Sequence, residues 1–296
     1  MKILNFGSLN IDNVCQVPHF VRPGETLAAN SFERFAGGKG LNQSLALARS
    51  GVPVCHAGKI GGDGLFLKQI LEESGVDCHL IRVDEKGLTG CALIQVSDSG
   101  ENCIVLYGGT NQTIPDGQID AVFEEFEKDD ILLIQNEVNS LDRIIKTAAA
   151  REMKIFFNPA PMRENISEAD LDLIHTFIVN EIEGAELSGC GTDAGYREIL
   201  TALRQKFPQA NILMTLGAQG AIYASREDAG EIFVPACRVE RVVDTTAAGD
   251  TFIGYFLSVL VRGGSVRDAL ETASKASAHC ITIKGAANSI PFAAEL

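Results

Sequence analysis

Short apolar segments alternate with helical patterns over most of this chain, and this alternation constrains its fold more than any other feature. An apolar run at 54–60 precedes a helical pattern at 64–73, which precedes another apolar run at 76–83. The same order returns in later segments, with strand candidates at 131–135, 154–158 and 212–216 and helical patterns at 141–151 and 167–174. Such alternation predicts a mostly parallel central sheet covered by helices, in a three-layer α/β/α architecture.

Two stretches interrupt this alternation. Residues 14–35 look extended and contain Pro18, Pro23 and Gly24, and residues 88–108 resemble two strands joined by a turn at 97–100. Together they predict a small separate sheet over one edge of the main layers. It would either exclude water from a reaction or provide a dimer surface. No flexible linker is evident, so residues 1–296 are expected to form a single domain.

Charge and apolar patterning exclude several functional classes. The net charge is -14, with 39 acidic and 25 basic residues and no basic block, which argues against nucleic-acid or anionic-membrane partners. No apolar run approaches the length of a membrane-spanning helix, and the N-terminus resembles a first strand more than a secretion signal. The eight cysteines form no C-x-x-C pair and look like reduced core residues. We therefore expect a cytoplasmic protein.

The segment 244–250, Asp-Thr-Thr-Ala-Ala-Gly-Asp, lies at a predicted strand-to-helix junction. A strand is predicted at 238–243 and a buried helix at 252–260. Ala247, Ala248 and Gly249 would then start a helix, where free N–H groups and the helix dipole favour an anion. Asp250 would stand beside that anion, where a carboxylate could accept a proton from a hydroxyl that attacks phosphorus. The alternative is an ordinary helix start with an acidic first turn.

Two N-terminal motifs provide polar groups that suit a polyol. Asn10 and Asp12 follow the first predicted strand, where open α/β folds place their ligands; an Asx turn is the alternative. The glycine-rich run at 37–43 opens a helix. Gly38 would allow close backbone approach, and Lys39 and Asn42 would supply polar contacts, although a flexible loop with a surface lysine explains the run equally well. Its spacing is not that of a Walker loop.

Further polar groups follow later strands. Glu137 comes after the strand predicted at 131–135. Asn180 and Glu183 stand three residues apart at a predicted helix start, where they would either organise magnesium through water or form a capping pair. The segment 215–220 leaves another strand with two glycines, which suits either a backbone cradle for a nucleotide or a hairpin turn.

Taken together, these motifs closely resemble the PfkB family of carbohydrate kinases, and within it the ribokinase branch. The resemblance covers nearly the whole chain, and its two long motifs are specific in combination. It implies a ribokinase-like three-layer α/β/α fold whose small β-sheet lid pairs in a homodimer. The motifs are Asn10-x-Asp12, Gly-Gly-Lys-Gly-x-Asn at 37–42, Gly-Glu-Asn at 100–102, Asn-Pro-Ala-Pro at 158–161, Asn180-x-x-Glu183, Thr215-x-Gly217 and the segment 244–250.

Matched position by position, the family pattern implies roles for individual residues. The sugar would be held by Asn10, Asp12, Gly38, Lys39, Asn42 and Glu137. The ATP side would comprise Asn180, Thr215, Gly217 and Gly220, with Glu183 near magnesium. Asp250 would be the base and also contact the substrate, and Ala247, Ala248 and Gly249 would form the anion hole. A monovalent cation, usually potassium, would lie near Asp244, Thr246, Cys280, Ile283, Gly285 and Ser289, several of them through backbone carbonyls.

The implied reaction is transfer of the γ-phosphate of ATP to a primary hydroxyl of a sugar. D-ribose is the leading acceptor, and the expected cofactors are Mg²⁺ and K⁺. Deoxyribose, a nucleoside such as adenosine, or a 2-keto-3-deoxy sugar acid are the alternatives within the same class. A non-catalytic sugar-binding regulatory protein is the alternative from another class, although the intact Asp250 argues against it.

Overall fold

A computed structural model describes residues 1–162, 166, 169–191, 193–227 and 230–296. Its helices and strands fall into one large sheet, one small sheet and two helical layers. The strands are β1 (Ile3–Phe6), β2 (Asn10–Val17), β3 (Ser31–Gly37), β4 (Cys55–Gly61), β5 (Ile81–Asp84), β6 (Gly90–Ser97), β7 (Asn102–Tyr107), β8 (Ile131–Gln135), β9 (Lys154–Asn158), β10 (Thr176–Asn180), β11 (Asn211–Thr215), β12 (Ala221–Ala224) and β13 (Glu231–Val234). The helices are α1 (Lys39–Arg49), α2 (Leu65–Glu73), α3 (Asp116–Phe123), α4 (Leu141–Ala150), α5 (Glu181–Ser188), α6 (Tyr196–Lys206), α7 (Ala248–Val261) and α8 (Val266–Cys280).

The large sheet has the strand order β13-β12-β11-β10-β9-β8-β1-β4-β5. Pairing is parallel from β11 across to β5, and only the β11–β12 and β12–β13 pairs, at one edge, are antiparallel. The carboxyl ends of the parallel strands therefore lie along one side of the sheet, which is where open α/β sheets bind ligands.

Apolar side chains cover both faces of the large sheet. On one face, Leu41 and Leu45 of α1 join Phe256 of α7 in a buried cluster that also includes residues of α2 and α8. On the other face, Ile144 of α4 and Leu200 of α6 belong to a second cluster with residues of α3 and α5. These two cores give the three-layer α/β/α fold that the alternation predicts, since each amphipathic helix buries one apolar stripe against the sheet.

The small sheet has the order β3-β2-β6-β7 and arises from the two segments that interrupt the alternation. Strand β2 pairs with β6 in parallel, and the two outer pairs are antiparallel, including the predicted hairpin between β6 and β7. Every residue of β7 is exposed, among them Val105 and Tyr107. This sheet stands above the carboxyl edge of the large sheet and forms one wall of a cavity there.

Three predicted elements differ from the structure. Residues 238–243 form no strand, because the N–H groups of Val243 and Asp244 bond to the carbonyl of Ile281 just after α8, at 2.8 and 3.2 Å. A β-branched composition cannot reveal the lack of a partner strand. The strand predicted at 76–83 is confined to β5 apart from one bridge between Asp77 and Cys55. The helix predicted at 167–174 falls partly outside the described residues, and its described part is the 3₁₀ turn Leu171–Leu173.

Two further observations concern composition. All eight cysteines are free, as their scattered positions predict, but only Cys78 and Cys280 are buried and Cys103 is exposed, so the expectation that they are core residues is wrong for most of them. Within the described residues, no helix is both long and apolar enough to cross a membrane. The cytoplasmic location stays a prediction.

Candidate active site

Two adjoining cavities open at the carboxyl edge of the large sheet. The first, of about 570 Å³, lies between the small sheet and the starts of α1 and α7. The second, of about 240 Å³, lies beside the ends of β10 and β11 and the start of α5. Lys39, Ala247 and Asp250 belong to the walls of both cavities. The start of α7 therefore forms the boundary between the two cavities.

The start of α7 has the geometry of an anion site. Ala247, the N-cap, adopts a left-handed conformation with φ of 61° and provides no side-chain cap. The N–H of Ala248 bonds to the carbonyl of Thr245, at 3.2 Å, whereas the N–H groups of Gly249 and Asp250 find no acceptor among the described residues. A Cβ placed on Gly249 would meet nothing within 4 Å. Unpaired donors, the helix dipole and open space favour a bound anion here.

Asp250 stands on the first turn of α7 with its carboxylate held from two sides. Its side chain is buried, at 7% exposure, yet it lines both cavities. Asn42 Nδ2 donates to one carboxylate oxygen at 3.1 Å, and Gln43 Nε2 donates to the other at 2.8 Å. A carboxylate oxygen can accept two hydrogen bonds, so a lone pair remains available on each oxygen of Asp250 for a ligand.

Lys39 and Glu137 lie together in the wall of the first cavity, which Asp250 also lines. Glu137 accepts hydrogen bonds from the hydroxyl of Ser8 and from the backbone N–H of Lys39, the latter at 3.0 Å. Burial alone would lower the pKa of Lys39, but the carboxylates of Asp250, Glu137 and Glu183 outweigh it and raise that pKa. Lys39 therefore stays a cation at neutral pH, between the acidic groups of the two cavities.

Asn10 and Asp12 face the first cavity from β2 of the small sheet. Asn10 Oδ1 accepts from Asn111 Nδ2 at 2.8 Å, which leaves the Asn10 amide fixed in one orientation. Burial and the neighbouring Glu137 raise the pKa of Asp12 to about 7. Gly38 completes this wall with φ of 95°, a conformation that favours glycine. The predicted sugar-binding residues, including Asn42, thus surround one cavity.

The second cavity contains Asn180 and Glu183 in a capping box at the start of α5. Asn180 Oδ1 accepts from the Glu183 N–H at 2.8 Å, and a Glu183 carboxylate oxygen accepts from the Asn180 N–H at 3.0 Å. This is the structural alternative that the spacing allows, and it still leaves both residues on the cavity wall with Asn158 and Thr215. Burial raises the pKa of Glu183, and it outweighs the hydrogen bond from Asn180 and the charge of Lys39, both of which lower that pKa.

The two glycines predicted beside the nucleotide follow Thr215 in a 3₁₀ turn. Among the described residues, the wall of the second cavity includes Thr215, whereas Gly217 and Gly220 lie beyond it. Gly217 has φ of 51° and faces open space. Gly220 has φ of 126°, and a Cβ there would lie 2.1 Å from the carbonyl oxygen of Val234. Packing therefore explains Gly220 without any ligand.

The residues matched to a cation site gather behind the start of α7. Asp244 accepts from the Thr246 N–H at 2.9 Å and from the Gly285 N–H at 2.9 Å. Cys280 Sγ lies 3.7 Å from the Thr246 carbonyl oxygen and 3.1 Å from Ser289 Oγ. Burial alone would raise the pKa of Asp244, but hydrogen bonds from Thr246 and Gly285 and the charge of Lys284 lower it. Ile283 follows α8 in the same segment, with its N–H on the Cys280 carbonyl at 3.1 Å.

Sequence reasoning missed three side chains that hold the site. Gln43 contacts Asp250, Ser8 contacts Glu137, and Asn111 contacts Asn10. Gln43 had a detectable signal, because it lies four residues after Lys39 on the same face of α1. Asn111 and Ser8 lie outside every motif, and only the tertiary fold brings them to the cavity.

A family model described as pfkB family carbohydrate kinase matches residues 1–293. Among curated proteins, the ribokinase of Haemophilus influenzae is 34% identical over 292 residues, covering 96% of this chain and 94% of that protein. The deoxyribokinase of Salmonella typhi is 31% identical over 297 residues, covering 98% and 96%.

Solved structures agree with this similarity. The ribokinase of Cryptococcus neoformans in complex with ADP superposes with a TM-score of 0.86 and 34% identity, covering 99% of this chain and 98% of that one. The ribokinase of Arabidopsis thaliana complexed with ribose and ATP gives a TM-score of 0.87 and 26% identity, covering 99% and 96%.

Proposed function

The chain belongs to the pfkB family of carbohydrate kinases and is an ATP-dependent sugar kinase, and we propose that it makes ribose 5-phosphate from D-ribose. The similarity to ribokinases extends over nearly the whole chain, and the related structure with ribose and ATP has the same fold. One observation carries the proposal at the level of the site: Asp250 and Lys39 line both cavities. A base that two substrates must both reach belongs at such a boundary.

The first cavity is proposed as the sugar site. Carboxylates accept hydrogen bonds from hydroxyl groups, and Asp12 and Glu137 supply them from two walls of this cavity. Asn42 also lines this cavity, where its Nδ2 donates to Asp250. Gly38 permits close approach of the backbone, while Lys39 and Asn10 add polar contacts. A free sugar suits these groups better than a phosphorylated one, since Lys39 is the only cation among the matched acceptor residues, and Lys284, which also lines this cavity, is paired with Glu33.

Asp250 is proposed as the general base. It accepts the proton of the primary hydroxyl as that oxygen forms a bond to the γ-phosphorus, and the bond from phosphorus to the β,γ-bridging oxygen breaks to release ADP. The backbone N–H groups of Gly249 and Asp250, together with Ala247 and Ala248, would bind the charge that develops on the transferring group. Their preorganisation by α7 supports this assignment.

The second cavity is proposed as the nucleotide side, with Asn180, Thr215 and Gly217 near the nucleotide. Gly220 would shape the turn that follows Thr215. Mg²⁺ fits beside this cavity, because Glu183 and Asn158 present oxygen atoms of the kind it binds through water. When bound, it would neutralise charge on the phosphates.

K⁺ is proposed behind the start of α7. The set fits a monovalent cation, because the carboxylate of Asp244 is kept ionised and its neighbours supply hydroxyl and carbonyl oxygens, the hard ligands that such a cation takes. The remaining members of the proposed shell are Ile283, Gly285 and Ser289. A cation there would strengthen the positive field of the helix start without touching the sugar.

We also propose that residues 1–296 form a single kinase domain in which the small sheet acts as a lid. The segments are approximately 14–35 and 88–108. The exposed apolar residues Leu93, Val105 and Tyr107 of this sheet support pairing of two lids in a homodimer. Lid closure would keep water from competing with the sugar as the phosphate acceptor.

An assay coupled to ADP release, run with a panel of free sugars and nucleosides, tests this function. We expect the highest kcat/KM with D-ribose. Deoxyribose is the second candidate, because a deoxyribokinase is nearly as similar to the chain as a ribokinase is. A higher kcat/KM for deoxyribose, a nucleoside or a 2-keto-3-deoxy sugar acid would contradict ribose as the acceptor. Ribose binding without ADP release from any acceptor would favour a sugar-binding regulatory protein instead.

A further inference from the structure

A chain of buried amide side chains extends from the proposed base into the sheet, away from both cavities. Gln43 Nε2 donates to Asp250 at 2.8 Å, and Gln43 Oε1 accepts from Gln135 Nε2 at 2.6 Å. The same nitrogen of Gln135 donates to Asn5 Oδ1 at 2.9 Å. Gln43, Gln135 and Asn5 are all fully buried. Such a continuous polar chain in an otherwise apolar core is costly unless its members are paired.

Gln135 determines which way the two neighbouring amides face. Its Nε2 carries two hydrogens and uses them on two amide oxygens, those of Gln43 and Asn5. The oxygen of Gln43 must therefore face Gln135, so its nitrogen must face Asp250. A flipped Gln43 would present an oxygen to the carboxylate of Asp250, which is repulsive.

The far end of the chain is fixed in the same direction. Asn5 Nδ2 donates to the carbonyl of Gly40 and to Ser44 Oγ, both at 2.8 Å. Ser44 Oγ lies 2.8 Å from His56 Nδ1. Burial lowers the pKa of His56 to about 4, so the ring is neutral at working pH and Nδ1 can accept the serine proton. Each hydrogen bond from Asn5 through Gln135 and Gln43 to Asp250 thus has one defined direction, whereas the neutral His56 ring can take either role toward Ser44.

We infer that Gln135 is a positioning residue for phosphoryl transfer, which acts through Gln43 to hold the carboxylate of Asp250 in its reactive orientation. The inference rests on the proposed role of Asp250 as the base. Gln135 itself lines neither cavity. It should therefore affect the chemical step and leave the binding of sugar and ATP unchanged. A displacement of a reacting group by about 1 Å can cost about a hundredfold in rate.

The test compares Gln135→Met with the matched control Gln118→Met. Both glutamines are buried and both have an Oε1 atom without a partner among the described residues, but Gln118 donates to the carbonyl of Gly58, away from both cavities. We expect Gln135→Met to lower kcat by about ten- to a hundredfold, with both KM values within about twofold. Gln118→Met should retain wild-type kcat, even if both variants lose thermal stability.

A double-mutant cycle separates positioning from general damage. In an Asp250→Asn background, Gln135→Met should change the residual kcat by less than about twofold, because the carboxylate it positions is gone. Wild-type kcat in Gln135→Met, or an equal loss in both backgrounds, would overturn the inference. If Gln135→Met does not fold, Gln43→Met removes the final donor directly and is interpreted in the same way. Loss of the proposed function itself would be seen separately, as no ADP release from the wild-type protein with any sugar.

Discussion

The two cavities that meet at Asp250 are built from different chemical groups. The first is lined by carboxylates and amides from the small sheet and α1, and several are already held by partners, as Glu137 is by Ser8 and Asn10 is by Asn111. The boundary with the second consists of backbone N–H groups and small residues at the start of α7. We therefore expect the first cavity to recognise its ligand mainly through side chains, and the start of α7, at the boundary with the second cavity, to bind charge through the main chain.

This difference separates specificity from chemistry. A single substitution among the side chains of the first cavity can change which sugar hydroxyls find a partner, so acceptor choice is easily altered. Backbone donors do not depend on side-chain identity, but they need space around them, and Gly249 supplies that space. We expect variants on the two sides to fail in different kinetic parameters.

The boundary residue should show the largest effect. Asp250→Asn keeps the size of the side chain but removes the proton acceptor, and we expect kcat to fall by about a thousandfold or more. Binding of ATP, measured by calorimetry, should stay largely intact. If the variant turned over at near the wild-type rate, Asp250 would not be the base and the two cavities would lose their common reacting group.

Asp268 offers a matched control, because it occupies the third position of α8 as Asp250 does in α7. Its carboxylate forms a capping box with Ser265 and lines neither cavity. Asp268→Asn should lower the free energy of unfolding by about 0.3–1 kcal/mol, because it removes a negative charge from the helix start and weakens the reciprocal bond of the capping box while Ser265 still caps the helix, and it should leave kcat unchanged.

The next largest effect should come from a side chain that fills the space beside the backbone N–H groups at the start of α7. In Gly249→Val, the side chain would extend into the space where the anion is proposed to bind, and we expect kcat/KM for ATP to fall by about a hundredfold. The KM for the sugar should change much less. Gly117 is the control, since it holds the same second position in α3 and a Cβ there also meets nothing within 4 Å. Equal losses in Gly117→Val and Gly249→Val would contradict an anion site at α7.

The sequence predicted those features of the two cavities that are local in the chain, but not the contacts between distant residues. The helix start at Gly249 and the capping pair at Asn180 are local in sequence, so short motifs revealed them. Gln43 and Asp250 are 207 residues apart, and Gln135 and Asn5 are 130 apart. No local pattern encodes those contacts, because they exist only after the parallel strands assemble.

The fold was predictable because, like the short motifs, its main pattern is local in sequence. Alternating apolar strands and amphipathic helices follow from local periodicity, and they determine the three layers. The strand expected at 238–243 was wrong, because pairing is a tertiary property and this segment bonds to Ile281 instead. The close approach of Gly220 to Val234 is likewise a tertiary contact that no local pattern shows, and the place of Gly220 beside the nucleotide stays a prediction.

In the first cavity, pH should affect sugar binding through Asp12. Its pKa is raised to about 7, so it passes from about nine-tenths ionised at pH 8 to about one-tenth at pH 6. If the ionised form accepts hydrogen bonds from the sugar, the KM for ribose should rise about tenfold over this range while the KM for ATP changes little. Initial-rate measurements at several pH values check this.

Glu137→Gln should shift the transition to lower pH, because it removes a charge that raises the pKa of Asp12. A KM for ribose that is constant between pH 6 and 8 would contradict this role.

The cation proposed behind the start of α7 should have the smallest effect on activity, because it acts on the bound phosphate only through the electrostatic field at the start of this helix. We expect activity in K⁺ to exceed that in Na⁺ by about two- to tenfold at equal ionic strength. Asp244→Asn should abolish this difference, since it removes the one carboxylate of the proposed shell and loosens the link to Gly285. Ser99→Ala is a control, because Ser99 is an exposed hydroxyl on the turn between β6 and β7. Equal activity of the wild-type protein in the two salts would contradict a role for the cation. The start of α7 would then bind the phosphate without help from a cation.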